Sequence, residues 1–350
     1  MVRVRLQYID LLKVLSIFAI ISIHIFMVWP DAEIKNVSIY AFSSILRFGV
    51  PVFVMITGAL MLNREIELGS FLKKKVKRLC VPFVFYYILT AVFIVVLLNS
   101  THEQVQNVFA FRWYFWMILG VYLSIPVINK FVQHSNTREI EYFIVIFVLA
   151  SVFYQVMYYL KIDQYLYLTL FLSPLGYLVL GHYLSRKEFN LSSSKIVTIS
   201  LLLFIVSTAI KFGGFLHVIP MTDNFIATQS KMLSSWLDVG IFEIIQSSAV
   251  FLICKHVYQS RQGIYSIFKR ILENNYVSKF ILSVSRASYG MYLINLIPTV
   301  LVYYYKPANL TGTQVFATII LLSALIFVIS WIVVVVLGKI PLIKNVSGYD

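Results

Sequence analysis

The stretch Tyr8-Ile-Asp-Leu-Leu-Lys-Val-Leu-Ser-Ile-Phe-Ala-Ile-Ile-Ser-Ile-His-Ile-Phe26 is apolar enough to cross a membrane, yet it carries three ionisable side chains. These side chains are Asp10, Lys13 and His24, separated by three and eleven positions. An α-helix completes a turn every roughly 3.6 residues, so this spacing places all three on one stripe of the helix. Holding an ionisable group inside a membrane is costly. The stripe is therefore a candidate functional site.

Two interpretations of this stripe remain open. Asp10 and Lys13 lie near the predicted cytoplasmic start of the helix, where an ion pair one turn apart could simply anchor it. His24 lies deeper, and a neutral imidazole at that depth still needs partners for both ring nitrogens. We therefore expect His24 to be functional, whereas Asp10 could be either an anchor or part of the site.

The composition of the whole chain indicates a membrane protein. Of its 350 residues, 60% are hydrophobic and 13% are charged, whereas soluble domains are about half apolar and about a quarter charged. We predict an all-α, polytopic integral membrane protein with a single membrane-embedded domain over residues 1–350 and short loops. Ten transmembrane helices are expected near residues 9–29, 39–62, 80–98, 113–132, 141–160, 165–184, 196–216, 236–255, 280–304 and 314–337.

The distribution of basic residues predicts the topology. With the N-terminus inside, the cytoplasmic segments hold 21 Lys and Arg residues and the outer segments hold six. The six outer residues are Lys35, Arg112, Lys161, Lys211, Lys231 and Lys306. Because cytoplasmic loops are enriched in Lys and Arg, both termini are predicted to be cytoplasmic. The formal net charge of +14 is then a topology signal, and a nucleic-acid partner is not expected.

The cysteines and histidines do not suggest a metal or disulfide site. Cys80 and Cys254 both fall at predicted cytoplasmic helix ends, where disulfides are rare. No Cys/His cluster has the spacing of metal ligands. We therefore expect no metal and no resident cofactor.

Two further spans carry buried charge at the depth of His24. In Arg47-Phe-Gly-Val-Pro-Val-Phe-Val-Met-Ile-Thr-Gly58, Arg47 lies about 12 Å from the outer end of its span, against about 9 Å for His24 and about 10 Å for Glu243. Arg47 could instead extend towards the outer surface, and Glu243 could belong to a structural ion pair. Gly49 and Gly58 are expected to let helix backbones approach closely.

Three other groups of residues each allow a structural and a functional interpretation. The basic run of residues 73–78, in the predicted connection 63–79, could bind lipid headgroups or a phosphorylated cytosolic ligand. The stretch Phe111-Arg-Trp-Tyr-Phe-Trp116 forms an aromatic belt whose rings could also stack on sugars. Asn295, within Ser288-Tyr-Gly-Met-Tyr-Leu-Ile-Asn295, must find a partner inside the bundle.

Taken in order, these motifs resemble the membrane-bound acyltransferase-3 family. The resemblance rests on Asp10-x-x-Lys13 with His24, Arg47-x-x-Val-Pro-Val-Phe-x-x-x-Thr-Gly58, the basic run before Pro82, Trp113-Tyr-Phe, Tyr122-Leu-Ser-Ile-Pro126 and Tyr289-Gly-Met-Tyr-Leu-Ile-Asn295. It covers nearly the whole chain. The family comprises ten-helix O-acyltransferases that modify cell-surface polysaccharides, antibiotics and lipids.

The resemblance implies roles for individual residues. His24 corresponds to the proposed catalytic histidine, Lys13 to a basic residue that is Arg in many members, and Lys75-x-x-Arg78 to an Arg-x-x-Arg motif associated with acyl-CoA. Many members have histidine at or near the positions of Asn295 and of Phe111 or Arg112, so the chain departs from the pattern there. We predict the following sets: catalytic His24, Arg47 and Glu243; acyl-CoA-binding Lys13, Lys75 and Arg78; acceptor-binding Arg112, Trp113, Tyr114 and Asn295.

The predicted activity is the transfer of an acyl group, most simply acetyl, from cytosolic acyl-CoA to a hydroxyl of a surface polysaccharide or its lipid-linked precursor. The expected location is a bacterial plasma membrane, with membrane lipid, acyl-CoA and the polysaccharide as partners. His24 is expected to act as general base or transient acyl carrier, and Arg47 or a helix-end amide to stabilise the oxyanion. The alternatives are a transporter or flippase whose path His24, Arg47 and Glu243 line, and a non-catalytic relative.

Overall fold

The structure confirms the predicted all-α fold class. The computed structural model describes residues 6–28, 42, 44–97, 113–159, 172–218, 240–260, 263–306, 310 and 312–349, and these contain helices but no β-strand. In chain order the helices are α1 (Gln7–Phe26), α2 (Gly49–Met61), α3 (Leu68–Val92), α4 (Trp113–His134), α5 (Thr137–Tyr159), α6 (Pro174–Arg186), α7 (Ser193–Val218), α8 (Ile241–Gln259), α9 (Ile264–Glu273), α10 (Asn275–Ile294), α11 (Leu296–Tyr305) and α12 (Gly312–Lys339). A π-helical turn, Phe93–Leu97, follows α3.

The polytopic membrane architecture is confirmed, with a smaller number of spans in the described ranges than the ten predicted. Eight spans are long and apolar enough to cross a membrane, and α10 with α11 makes a ninth if that bent pair crosses as one. The remaining difference falls at the span predicted for residues 165–184. There α6 has 13 residues, and residues 160–171 lie outside the described part of the chain. The cytoplasmic location of both termini stays a prediction.

The start of the third helix differs from the prediction. The basic run of residues 73–78 was expected in a connection, but α3 begins at Leu68, so the run forms early turns of a helix that continues through Pro82. Lysine and arginine are good helix formers, and neither glycine nor proline occurs between Ser70 and Pro82. Lys75 and Arg78 consequently lie one turn apart on one face of α3.

The chain divides into two compact units, and whether they form the single predicted domain stays a prediction. Unit 1 comprises Met1–Ser16, Tyr40–Arg64 and Val127–Ile281, and unit 2 comprises Ile17–Ile39, Glu65–Pro126 and Leu282–Asp350.

Unit 1 is built around α8, which contacts α2, α5, α6, α7 and α9. Its helices α2 and α6 meet at two glycines. A Cβ at Gly58 would overlap the backbone carbonyl of Leu178, and a Cβ at Gly181 would overlap the backbone of Met55. The prediction that Gly58 lets two backbones approach closely is thus confirmed.

Unit 2 is held together by aromatic packing and by the segment after α12. The rings of Phe83 on α3 and Phe115 on α4 stack with their centroids 3.5 Å apart. Tyr86 on α3 donates a hydrogen bond of 2.9 Å to the carbonyl oxygen of Ser347. A Cβ at Gly290 on α10 would overlap that same carbonyl. The segment after α12 therefore packs against both α3 and α10, the helices that carry the basic run and Asn295.

Candidate active site

The centre of the candidate site is His24, near the end of α1. Its side chain is 9% exposed. In unit 2 its Nδ1 lies 2.7 Å from Oδ1 of Asn295, a residue 271 positions away in the chain. One hydrogen bond thus gives a polar partner both to Nδ1 of the buried histidine and to Oδ1 of the buried asparagine.

Asn295 lies at a break between two helices. α10 ends at Ile294, α11 begins at Leu296, and the pair is bent by 48°. Pro298 gives the physical reason, because it has no N–H to donate to the carbonyl of Ile294 and its ring would clash with that carbonyl in a straight helix. The break places the Asn295 side chain beside the carbonyls of its own preceding turn.

The orientation of the Asn295 amide follows from those carbonyls. Nδ2 of Asn295 donates hydrogen bonds of 3.0 Å to the carbonyl oxygen of Met291 and 2.6 Å to that of Tyr292. The reverse orientation would turn an oxygen towards two other oxygens, so the network fixes Oδ1 on the side of His24.

This orientation assigns the tautomer of His24. An amide oxygen only accepts hydrogen bonds, so Nδ1 of His24 must carry the hydrogen. In the neutral ring, Nε2 then keeps its lone pair and can accept a proton. The arrangement is that of a general base whose second nitrogen is held by a neighbouring side chain.

Aromatic rings connect the histidine to the predicted acceptor residues. The ring of Tyr292 lies 6.4 Å from that of His24, and Tyr114 packs edge-on against Tyr292 at 4.8 Å. Trp113 packs edge-on against Tyr114 at 6.3 Å and is 42% exposed, whereas Tyr114 is buried. Trp113, Tyr114 and Tyr292 thus form an aromatic series. Trp113 is its exposed end, and Tyr292 is the end beside the imidazole of His24.

The predicted acyl-CoA residues of α3 belong to the same unit as His24. Lys75 is half-buried and Arg78 is exposed. The next residue, Leu79, accepts a hydrogen bond of 2.7 Å through its carbonyl oxygen from the hydroxyl of Tyr289 on α10. Tyr289 precedes Asn295 by six residues, about 9 Å along a helix. A hydrogen bond therefore connects the basic end of α3 to α10, the helix that precedes Asn295.

Glu243 and Arg47 lie in unit 1. Glu243 is fully buried in the first turn of α8, and its Oε1 lies 2.5 Å from Nζ of Lys211 on α7, which is 1% exposed. Arg47 is 6% exposed and lies at a turn between the helical residues 44–46 and α2, within the candidate membrane span Ser44–Met61. Pro51 favours that boundary because it sits in the first turn of α2, where its missing N–H costs no helical hydrogen bond.

Lys211 is the residue that the sequence analysis misplaced. It was counted among the outer charges, but it lies within α7 and pairs with Glu243. The signal was present in the sequence, since Lys211 follows the uninterrupted apolar and hydroxyl run of residues 196–210 and has Glu243 as a possible partner in the next span. Of the two interpretations of Glu243, this geometry favours the structural ion pair.

For the remaining predicted site residues, the structure gives fewer contacts. Lys13 is half-buried on α1, and Arg112 lies outside the described residues. Asn295 was predicted to bind the acceptor, and that stays a prediction, although its amide oxygen and nitrogen already have partners. Within the described ranges, no three His, Cys, Asp or Glu side chains converge as metal ligands would.

Comparison with known proteins supplies the family. The chain matches the family described as an acyltransferase domain, the acyltransferase-3 domain, over residues 6–335. No curated protein and no solved structure matches it. The matched residues include every member of the candidate site and nearly all of the helices. The chain therefore belongs to the acyltransferase-3 family and is a multi-pass membrane acyltransferase.

Proposed function

We propose that this enzyme is an O-acyltransferase that moves an acyl group, most simply acetyl, from cytosolic acyl-CoA to a hydroxyl of a cell-surface polysaccharide or its lipid-linked precursor. The proposed location is a bacterial plasma membrane. The observation that carries the proposal is the hydrogen bond between Nδ1 of His24 and Oδ1 of Asn295. It leaves Nε2 as the base that a weakly acidic hydroxyl needs in order to attack a thioester.

The proposed reaction returns His24 to its starting state. Nε2 of His24 takes the proton of the acceptor hydroxyl while the hydroxyl oxygen attacks the thioester carbonyl carbon. A C–O bond forms, the C–S bond breaks, and the leaving thiolate of CoA takes the proton from the imidazolium. Asn295 keeps its hydrogen bond to Nδ1–H throughout, so the ring does not turn between the two proton transfers.

The oxyanion of the tetrahedral intermediate needs a positive or hydrogen-bonding partner. Arg47 remains the proposed donor, as predicted from the sequence, because a guanidinium supplies both a positive charge and N–H groups. Glu243 is the weakest of the three catalytic proposals. Its carboxylate already pairs with Lys211, and the orientation of the imidazole is supplied by Asn295.

The donor is proposed to bind at the basic end of α3. Lys75 and Arg78 face one side of that helix and suit the phosphates of CoA. The contacts of Leu79 with Tyr289 and of Tyr292 with His24 support a path for the pantetheine arm along α10. Lys13, on the same helix as His24, is proposed to assist along this path.

The acceptor is proposed to bind at the aromatic series. Trp113 offers an exposed ring, as sugar faces require, and Tyr114 links it to Tyr292 beside His24. Arg112 and Asn295 complete the acceptor set as it was predicted from the sequence. Stacking on an aromatic face recognises a sugar ring through its apolar C–H surface.

The test is acyl transfer by the His24→Ala variant. Membranes containing the enzyme are supplied with acetyl-CoA labelled in the acetyl group, and label released from polysaccharide by mild alkali is counted as ester. We expect a loss of at least about 100-fold, the scale of a missing general base, with acyl-CoA binding retained. His134→Ala is the matched control, because His134 is exposed at the end of α4, and it should transfer acyl groups normally.

Wild-type ester formation by His24→Ala would contradict the role of His24. Label that enters lipid but never polysaccharide, in the unaltered enzyme, would overturn the proposed acceptor and leave the role of His24 intact.

A further inference from the structure

The short helix α9 has an apolar stripe that no other described part of the chain covers. Ile264, Ile267, Phe268 and Ile271 follow the i, i+3, i+4, i+7 spacing of one helix face, and each is between 51% and 63% exposed. None of the ten residues of α9 is buried. In a water-soluble surface helix, this stripe would face the protein interior.

A tyrosine outside this stripe connects α9 to the rest of the protein. The hydroxyl of Tyr265 lies 3.0 Å from Oγ1 of Thr198 on α7, so the two can share a hydrogen bond. Lys269, one turn further on, pairs with Glu273 at 3.9 Å. The large apolar side chains of α9 therefore face outward, while its other side carries Tyr265, which contacts α7, and the partly exposed pair of Lys269 and Glu273.

Contacts to α7 fix the depth at which α9 lies. Thr198 is five residues after the start of α7, about 7.5 Å into that membrane-spanning helix. Directly before α9, Oγ of Ser260 at the end of α8 lies 3.3 Å from Oγ of Ser194, one residue into α7. The helix therefore lies beside the ends of two membrane-spanning helices, at the level of a bilayer surface.

We propose that α9 is an interfacial helix that inserts Ile264, Ile267, Phe268 and Ile271 into the bilayer, at the boundary between headgroups and acyl chains. Amphipathic helices that lie in this region bury their apolar face by about 5–10 Å. Lys269 and Arg270 lie on the opposite face, where their ammonium and guanidinium groups reach the headgroup layer.

The residues that follow α9 have the composition of a membrane interface. Tyr276 at the start of α10 is 84% exposed, and Phe280 one turn later is 41% exposed. Tyrosine is enriched where membrane meets water, because its ring is apolar and its hydroxyl can remain hydrated. The exposed aromatic side chains at the start of α10 are thus consistent with an interfacial position of the preceding helix α9.

The experiment measures which medium surrounds each face of α9. The full chain, with Cys80 and Cys254 replaced by serine, receives a single cysteine at Ile267 or Ile271, or at the control positions Arg270 and Glu273. Each variant is labelled with a nitroxide in lipid nanodiscs, and relaxation by oxygen, which concentrates in lipid, is compared with relaxation by a nickel chelate, which remains in water.

We expect oxygen to dominate at positions 267 and 271 and the nickel chelate to dominate at positions 270 and 273. Equal access of the nickel chelate to all four positions would overturn the proposal. So would protection of 267 and 271 from both reagents together with dipolar broadening between labels, which would indicate a second copy of the chain as the occupant.

A second measurement does not depend on the cysteine substitutions. In the otherwise unaltered chain, Phe268→Trp should add fluorescence that is quenched by lipids brominated near the headgroup end of the acyl chain. Added fluorescence that resists these lipids but is quenched by aqueous iodide would contradict the proposal.

Discussion

The pair His24–Asn295 in unit 2 and the pair Lys211–Glu243 in unit 1 are both buried polar pairs on membrane-spanning helices, but they differ in charge. Lys211 and Glu243 carry opposite charges, and each compensates the burial of the other. His24 and Asn295 are joined by a hydrogen bond between an imidazole nitrogen, Nδ1, and an uncharged amide oxygen. The first pair is suited to holding two helices together, and the second sets the tautomer of a histidine whose Nε2 is basic.

The difference shows why an ionisable residue in a membrane span is not by itself a catalytic residue. His24 and Glu243 stood out for the same reason, since both are polar groups at similar depth in apolar helices. The two residues differ in the side chains with which they pair, Asn295 for His24 and Lys211 for Glu243. In the ion pair, each charge compensates the other, which suits a structural role. A histidine whose Nδ1 donates to a neutral acceptor keeps a basic Nε2.

The largest expected effect comes from breaking the charged pair. Glu243→Gln should lower the free energy of unfolding by about 3–5 kcal/mol, because the Lys211 ammonium is left buried without its carboxylate. The double variant Lys211→Met/Glu243→Gln should recover most of this loss, since neither member of the pair is then charged. Thermal denaturation of the purified protein in detergent measures both.

The same double variant decides whether Glu243 takes part in catalysis. Acyl transfer per folded molecule close to the wild-type value would leave Glu243 with a structural role. A stable but inactive double variant would restore Glu243 to the catalytic set and remove the contrast between the two pairs.

A smaller effect is expected from breaking the neutral pair. Asn295→Ala should reduce kcat by roughly 10- to 100-fold with little change in KM for the acyl donor, because Nε2 survives but the ring is no longer held. Asn295→Asp keeps an acceptor for Nδ1–H but turns a second oxygen towards the carbonyl oxygens of Met291 and Tyr292, so it should recover only part of the activity lost in Asn295→Ala. Steady-state kinetics with labelled acyl-CoA gives the comparison.

Thr299→Val is the matched control for Asn295. It removes the hydrogen bond of 2.7 Å from Oγ1 of Thr299 to the backbone carbonyl oxygen of Asn295, on the same bent helix, without touching the Asn295 side chain. Its kcat should stay within about twofold of wild type, in keeping with the small net worth of one hydrogen bond. Equal losses in Thr299→Val and Asn295→Ala would mean that the bend, rather than the amide, supports catalysis.

The smallest effect concerns the donor and distinguishes the two units. Lys75→Ala/Arg78→Ala on α3 of unit 2 should weaken acyl-CoA binding by about tenfold at low salt and by less at high salt, because two cations that contact phosphates are lost. Lys130→Ala/Lys195→Ala removes the same charge from exposed positions of unit 1. Equilibrium binding of labelled acyl-CoA should be unchanged in that control, and an equal weakening in both variants would indicate a general charge effect.

Much of the fold could be predicted from composition and local pattern. Apolar runs of about 20 residues report membrane-spanning helices because a helix must satisfy its own backbone hydrogen bonds in lipid. The start of α3 at Leu68 was missed, since charged residues were assumed to end a helix although Lys and Arg propagate one well. The bend at Asn295 was signalled three residues later by Pro298.

The pairing within the site could be predicted only in part. Burial of His24 and Asn295 required polar partners for both, and this followed from their places in apolar spans. The two residues are 271 positions apart, so their pairing depends on how distant helices pack. No local sequence pattern contains that information. Lys211 was misplaced for a similar reason, because its position relative to the membrane surface depends on where α7 ends and which side of it faces α8.

The most direct test of the site is the protonation of the two nitrogens of His24. The protein, which contains six histidines, is labelled with ¹⁵N-histidine in lipid, and the His24 signals are identified by their absence from His24→Asn. Solid-state NMR separates protonated from unprotonated ring nitrogens. We expect Nδ1 to be protonated and Nε2 to be unprotonated at neutral pH, with this preference weakened in Asn295→Ala. Protonation at Nε2 with a bare Nδ1, or a spectrum that Asn295→Ala leaves unchanged, would contradict the assignment of His24 as a base held in place by Asn295.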